Sequence, residues 1–384
     1  MGILLAPMGI VAVTRTYSVL LPEIMESFSM SPSGGGRFVA TIEGGSFCSL
    51  LILGFIIERI GARRVVLIGL PTVAVSLFVM TSIENLLLLS PVLVLVGSGM
   101  AWTATGINTL MAATGSRRSF YLGIMHSTFS VFALVAPIVA GWVLIWHSWR
   151  TFYIGIGVLA IGLTILFGVL EVALRKSSEP CTQPVKAAQG PQKQGPSVAT
   201  IGLICLGVIS LSGIQGAFNT WSYLYVKEMY EVSREFAVWA PACLWGGLLL
   251  GRTVLIGLAR IFSARTLLIS SSLLPAAAMS GERLLSSPSV VLFAMFLVGL
   301  GISGAYQLGT QWAAERLPHR IGTASTAIMA CGWLGNALWP WATGELIERT
   351  SYGCLFGVVL CGCVVAILSF GFTRDRSASA TPTP

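Results

Sequence analysis

Three charged side chains sit where an apolar chain has little use for them. Arg15, Glu43 and Arg252 each fall inside a long hydrophobic run. An ionisable group in hydrocarbon costs on the order of 2.5–3.5 kcal/mol on insertion scales, so each is expected to face protein or a water-filled cavity. Arginine presents a planar fork of donors matched to a carboxylate. Two arginines brought together from separate parts of the chain would therefore suit a small organic anion. Arg15 lies about 10 residues from the end of its run, roughly 15 Å of helix at 1.5 Å per residue and close to a bilayer midplane. Arg252 lies nearer the other side. Glu43, flanked by Gly44 and Gly45, either pairs permanently with Arg15 or carries a proton. His126, at the start of a later run, is either an interfacial cap or a proton relay.

Around these charges the sequence offers a polar and aromatic lining. Thr103, Thr105 and Asn108 share one run, and Asn219, Trp221 and Tyr225 another. Tyr306, Gln307 and Gln311 follow, then Trp333 and Asn336. Seven of the 11 tryptophans fall at or after Trp221, which makes Trp221 and Trp333 the expected aromatic walls. The alternative for such rings is anchoring at a membrane interface. The expected substrate contacts are thus Arg15, Arg252, Thr103, Asn108, Trp221, Tyr225, Gln307, Trp333 and Asn336, with Glu43 and His126 as proton-coupling candidates.

What positions them is a set of membrane helices. Hydrophobic residues make up 55% of the 384 and charged ones 10%, far from a soluble domain. Windows of roughly 20 apolar residues, enough to cross the hydrocarbon core, give twelve candidate spans. They lie near 3–25, 37–57, 65–83, 87–111, 120–145 and 151–171, then near 199–226, 237–258, 266–281, 287–310, 322–344 and 352–373. The domains follow: a six-helix bundle at 1–171, a polar cytoplasmic linker at 172–198, a second bundle at 199–373 and a tail at 374–384. A repeat agrees with this division. Ala136-Pro137-Ile-Val-Ala-Gly141 and Trp339-Pro340-Trp-Ala-Thr-Gly344 stand 203 residues apart, and Gly45 and Gly246 stand 201 apart. At the smaller offset Arg15 corresponds to Gly216, Glu43 to Leu244 and Arg252 to Leu51. The scaffold repeats while the charges do not.

Lys and Arg set the expected orientation. With both termini cytoplasmic, that side holds 15 of the 23 basic residues and the other side 6, with Arg15 and Arg252 inside spans. That bias predicts an N-in, C-in topology in the cell (inner) membrane. It also accounts for the net charge of +8 through contact with anionic lipid, without a nucleic-acid partner. The first span begins almost at Met1 with no basic segment before it, so no cleaved signal peptide is expected. The eight cysteines form no C-x-x-C pair or ligand-like Cys/His spacing, and neither metal nor cofactor is expected.

The loop after the second span reads Gly54-Phe-Ile-Ile-Glu58-Arg59-Ile-Gly61-Ala-Arg63-Arg64. Gly61 permits a tight turn, Gly54 a close helix contact, and the four charges a latch at the inner surface. This resembles the signature loop of the major facilitator superfamily, with Glu58 for its usual acid and Ala62 for one Arg. The segment from His126 through Pro137 and Gly141 to Trp149-Arg150 is similar to that superfamily's fifth helix and following loop. Ala259-Arg260-Ile-Phe-Ser-Ala-Arg265 is a worn second copy of the loop, without acid or turn glycine. The resemblance implies an all-α fold of twelve transmembrane helices in two bundles that rock about a central site. Arg15 through Ile24 is similar to the first helix of the monocarboxylate transporters, which carry Lys at the position of Arg15, and Arg252 is placed like that family's substrate-anchoring Arg. Its acidic partner is Leu248 here.

These readings predict a secondary transporter, working as a monomer, that moves a small monocarboxylate-like anion by alternating access, with proton coupling through Glu43. An exporter of drugs, siderophores or other amphipathic compounds is the alternative, and a transporter-shaped sensor or assembly factor a third. No nucleophile–base pair, metal cluster or phosphate loop points to an enzyme or an ATP-driven pump.

Overall fold

The computed structural model describes residues 2–112, 114, 118–175, 198–285, 287–316 and 321–373. Almost all of the expected linker and the tail at 374–384 lie outside the described residues. The first half comprises α1 (Gly2–Thr14), α2 (Tyr17–Ser27), α3 (Pro32–Ile60), α4 (Ala62–Ser82), α5 (Leu86–Ala112), α6 (Arg118–Trp146) and α7 (Trp149–Arg175). The second comprises α8 (Val198–Tyr230), α9 (Arg234–Ala237), α10 (Trp239–Leu258), α11 (Ala264–Leu285), α12 (Pro288–Ile302), α13 (Ala305–Arg316), α14 (Ile321–Arg349) and α15 (Cys354–Gly371). Nine of the described helices are apolar and long enough to cross a membrane, or ten when the bent pair α1–α2 counts as one span. The more polar α11 and α14, 22 and 29 residues long, complete twelve spans in two bundles. Of these, α1–α2, α9–α10 and α12–α13 are interrupted.

The chain reverses between α3 and α4 on the single residue Gly61, whose φ of +84° is the left-handed region that a side chain resists. Arg59, Arg63 and Arg64 flank this turn, exposed, and mark what we call the basic end; the opposite end is the far end. Gly54 is corrected. A Cβ there would meet open space, so this glycine brokers no close contact.

Glycine contacts fix the register of the repeat. A Cβ on Gly97 would lie 1.8 Å from the Ile42 carbonyl oxygen, and one on Gly299 2.0 Å from that of Leu244. Gly45 approaches Val94 as Gly247 approaches Phe296. Every member of these pairs stands 202 residues from its counterpart. The structural partner of Gly45 is therefore Gly247 rather than Gly246, Glu43 corresponds to Trp245, and Arg252 to Leu50. Only glycine lets the two backbones approach this closely.

The halves meet along three seams: α3 with α14, α6 with α10, and α2 with α8. Both Pro-x-x-x-Gly copies lie on these seams. Gly141 packs on Val238 just before α10, and Gly344 on Pro32 and Gly36 of α3.

Candidate functional site

The site grows from the interruption of the first span. Here α1 and α2 meet at a bend of 46°, and Arg15 and Thr16 fall outside both helices. The Tyr17 amide turns back to the Arg15 carbonyl at 2.8 Å. That same carbonyl accepts from Asn219 Nδ2 of α8 at 3.0 Å, and Asn219 Oδ1 accepts from Trp245 Nε1 of α10 at 2.9 Å. A backbone group freed inside a membrane must find such a partner. The second half therefore supports the broken helix of the first.

The break turns the Arg15 side chain onto Glu43 of α3. Both Arg15 Nε and Nη2 reach Glu43 Oε1, at 3.0 and 2.9 Å, and the Tyr17 hydroxyl donates to the same oxygen at 3.2 Å. Arg15 is 7% and Glu43 1% exposed; Glu43 Oε2 is buried without a hydrogen-bond partner among the described residues. Of the two sequence readings of Glu43, this conformation holds the bridge. On the other side of Arg15 lies the Trp333 ring of α14, 4.9 Å from the guanidinium carbon, a cation–π contact. One turn along α14, Asn336 Nδ2 donates to the Tyr306 hydroxyl at 3.1 Å, while Asn336 Oδ1 is buried without a partner among the described residues. Tyr306 is the second residue of α13, just past the α12–α13 interruption. Two broken spans thus face each other across the centre.

Arg252 differs from Arg15. From α10 its Nη1 donates to Ser130 Oγ at 2.5 Å and to the His126 carbonyl at 3.4 Å, both on α6. Among the described residues no carboxylate pairs with it. Arg252 therefore bridges the α6–α10 seam as a half-buried cation with neutral partners. His126 meets it through its backbone.

The remaining predicted residues scatter. Asn108 of α5 donates to the Met329 sulfur of α14 across the halves, at 3.6 Å. Gln307 sits half-buried beside Tyr306. Thr103 is placed inside the first bundle, bonded to the Gly99 carbonyl and packed on Gly69. Trp221 is fully buried, its Nε1 donating to the Pro340 carbonyl at 3.0 Å and its ring 6.4 Å from that of Tyr352; it plugs the far-end seam and lines no central wall. Tyr225 turns away from the centre to Glu282. Glu58 and its neighbouring arginines stand exposed at the basic end, remote from this cluster.

Sequence reasoning missed Tyr17, Ser130, Trp245 and Glu282, and it missed the far-end closure. Arg37 of α3 reaches Glu345 of α14 at 2.8 Å. Ser31 Oγ and the Ser33 amide donate to Glu348 at 2.8 and 3.0 Å, and Arg234 meets Glu23 at 3.5 Å. Ser18 Oγ of α2 lies 3.3 Å from Ser222 Oγ and accepts from the Tyr223 amide at 3.0 Å. In the Glu345 carboxyl, the Arg37 hydrogen bond favours the charged form and lowers the pKa. In Glu348 the bonds from Ser33 and Ser31 do the same.

Comparison with known proteins fits this architecture. A family model described as Major Facilitator Superfamily matches residues 3–340. A multidrug resistance protein MdtL of Klebsiella pneumoniae is 21% identical over 383 residues, covering 98% of this chain and 95% of the relative. MdtL of Escherichia coli is 23% identical over 96% of this chain and 93% of its own length. In structure the chain is similar to a D-xylose-proton symporter (TM-score 0.75, 13% identity, 99% of each chain). It is also similar to a bacterial homologue of the lysosomal transporter Spinster in an inward-facing, occupied conformation (TM-score 0.72, 13% identity, 97% and 94%).

Proposed function

We propose a function from one premise: the chain belongs to the Major Facilitator Superfamily, and is a multi-pass membrane transporter. On our reading its substrate is a small organic anion of the monocarboxylate kind, bound between the halves near Arg252 and driven by alternating access. The observation that carries this is the state of Arg252, a cation on the seam between the halves whose partners are all neutral. The Arg15–Glu43 pair beside it cancels its own charge, so the centre keeps one net positive charge to offer. Trp333, Asn336, Tyr306 and Gln307 supply an aromatic face and hydrogen bonds for the rest of the substrate, and Glu43 is the proton-coupling group. We place the basic end on the cytoplasmic side, both termini with it, in the cell membrane. On this placement the side away from the cytoplasm is the one closed in this conformation. The bundles at 1–171 and 199–373 are the rocking units, the linker at 172–198 joins them, and a monomer suffices.

Flux of labelled lactate-like acids into proteoliposomes, with and without a pH gradient, is the test. Arg252→Ala should abolish that flux, and intact flux would sink the anion reading. A second reading, export of amphipathic drugs, is supported by the MdtL relatives that align along nearly the whole chain. Efflux of a lipophilic dye that is lost on Glu43→Gln, with carboxylates ignored, would favour it.

A further inference from the structure

Glu282 is a buried acid that the proposed transport site does not use. It lies on α11, three residues before that helix ends at Leu285, about 4.5 Å of helix from the far end at 1.5 Å per residue. It is 1% exposed. Tyr225 of α8 donates to Glu282 Oε1 at 3.0 Å, and the Tyr230 hydroxyl donates to the same oxygen. Glu282 Oε2 is buried and has no hydrogen-bond partner among the described residues. Among the described residues no salt bridge reaches the carboxyl. The adjacent Arg283 lays its guanidinium over the Phe356 ring of α15, and its charge reaches the carboxyl only from beyond contact distance. Of the elements packed on α11, α12 has no titratable side chain, α13 carries Tyr306 near its start and Glu315 and Arg316 at its other end, α15 brings the thiols of Cys354, Cys361 and Cys363, and Tyr352 precedes it. An acid so enclosed, in a membrane protein and without an ion-pair partner in contact, is costly to keep ionised.

The same stretch of α8 reads the position of the first half. Asn219 holds the Arg15 carbonyl, Ser222 and Tyr223 hold Ser18, and Trp221 plugs the seam against Pro340. Tyr225, one turn on, holds Glu282. A movement that parts the halves at the far end must act on this stretch, and through it on the two hydroxyls around the carboxyl.

We propose that Glu282, with Tyr225 and Tyr230, is a second proton-binding site, distinct from Glu43, that is loaded while the far end is closed and discharged when it opens. In the closed state Oε2 carries the proton. On opening, the O–H bond breaks, the proton passes to water of the far-side compartment, and the carboxylate stays with the two tyrosine hydroxyls as donors. The proposal is independent of substrate identity.

Infrared spectroscopy of the purified full chain at neutral pH tests it through the carbonyl stretch of a protonated carboxylic acid. In Glu43→Gln protein that band should persist, and in Glu43→Gln/Glu282→Gln it should disappear. Gln keeps an acceptor for both tyrosines, so the fold should tolerate the change; Glu282→Asp should shift the band and confirm its origin. Gly36→Trp supplies the open state, because a Cβ at Gly36 already lies 2.8 Å from the Pro340 carbonyl oxygen. With the Glu43→Gln background wedged open in this way, the band should vanish. Its absence from the closed protein, or its persistence in the wedged one, overturns the proposal.

Discussion

The two halves share a backbone and divide the electrostatics. Gly97 on Ile42 and Gly299 on Leu244 are the same contact made twice. Yet the first half buries an arginine with its acid, and the second half holds one without. Arg15 is neutralised within its own bundle by Glu43; Arg252 reaches across the seam to Ser130, and its counterpart in the repeat is Leu50. A duplicated frame thus supplies the rocking geometry, and the departures from duplication supply the chemistry. In stability terms the difference is sharp. Removing one partner of a buried pair strands a charge, whereas removing an uncompensated charge strands nothing of comparable cost.

The largest expected effect follows from the paired half. Glu43→Leu should lower stability by about 3–5 kcal/mol, the cost of breaking a buried pair from one side, read as thermal unfolding in detergent. Arg15→Met/Glu43→Leu should recover most of that loss. Equal melting of the single and double variants would show that the pair is not a coupled unit.

The shared frame should respond equally in both halves. Gly97→Ala and Gly299→Ala each force a Cβ into a facing carbonyl, and each should cost about 1–3 kcal/mol by overpacking. Gly246→Ala is the control, since its nearest neighbour would be an ordinary 3.5 Å away. If Gly246 proved as intolerant as Gly299, the 202-residue register would be wrong.

Smaller still is the far-end closure, whose carboxylates are half-buried at Glu345 and exposed at Glu348. Both Glu345 and Glu348 are held below the usual carboxylate value of 4.5 when the far end is closed. Their contribution is therefore fully present above that value and is lost as pH falls below it through their depressed pKa. Spin-label distances between the far ends of α3 and α14 should lengthen on that acidification. The Glu345→Gln/Glu348→Gln protein should show no further change. Lengthening of the same size in that protein would assign the response to other groups.

Much of this was legible in the sequence because periodicity, basic bias and repeats are local or statistical signals. The spans, the one-residue turn at Gly61 and the three charges of the centre all emerged that way. The break at Arg15 and Thr16 did not, since neither Pro nor Gly marks it; its cause is a partner, Asn219, about 200 residues away. Glu282 lay just beyond the window that ends at 281 and resembled a loop charge beside Arg283. Trp221 and Trp333 were indistinguishable by composition, yet one plugs a seam and the other backs Arg15. The register slipped by one because Gly246 and Gly247 are neighbours, and only backbone contact tells them apart.

The central claim is that the uncompensated Arg252 holds the anion, and Arg252→Ala tests it when stability and binding are measured on the same purified protein. The account expects a melting temperature unchanged or raised, together with carboxylate affinity weakened roughly tenfold or more, the scale of a lost charge-assisted hydrogen bond. Unchanged affinity in a protein of unchanged stability would contradict it.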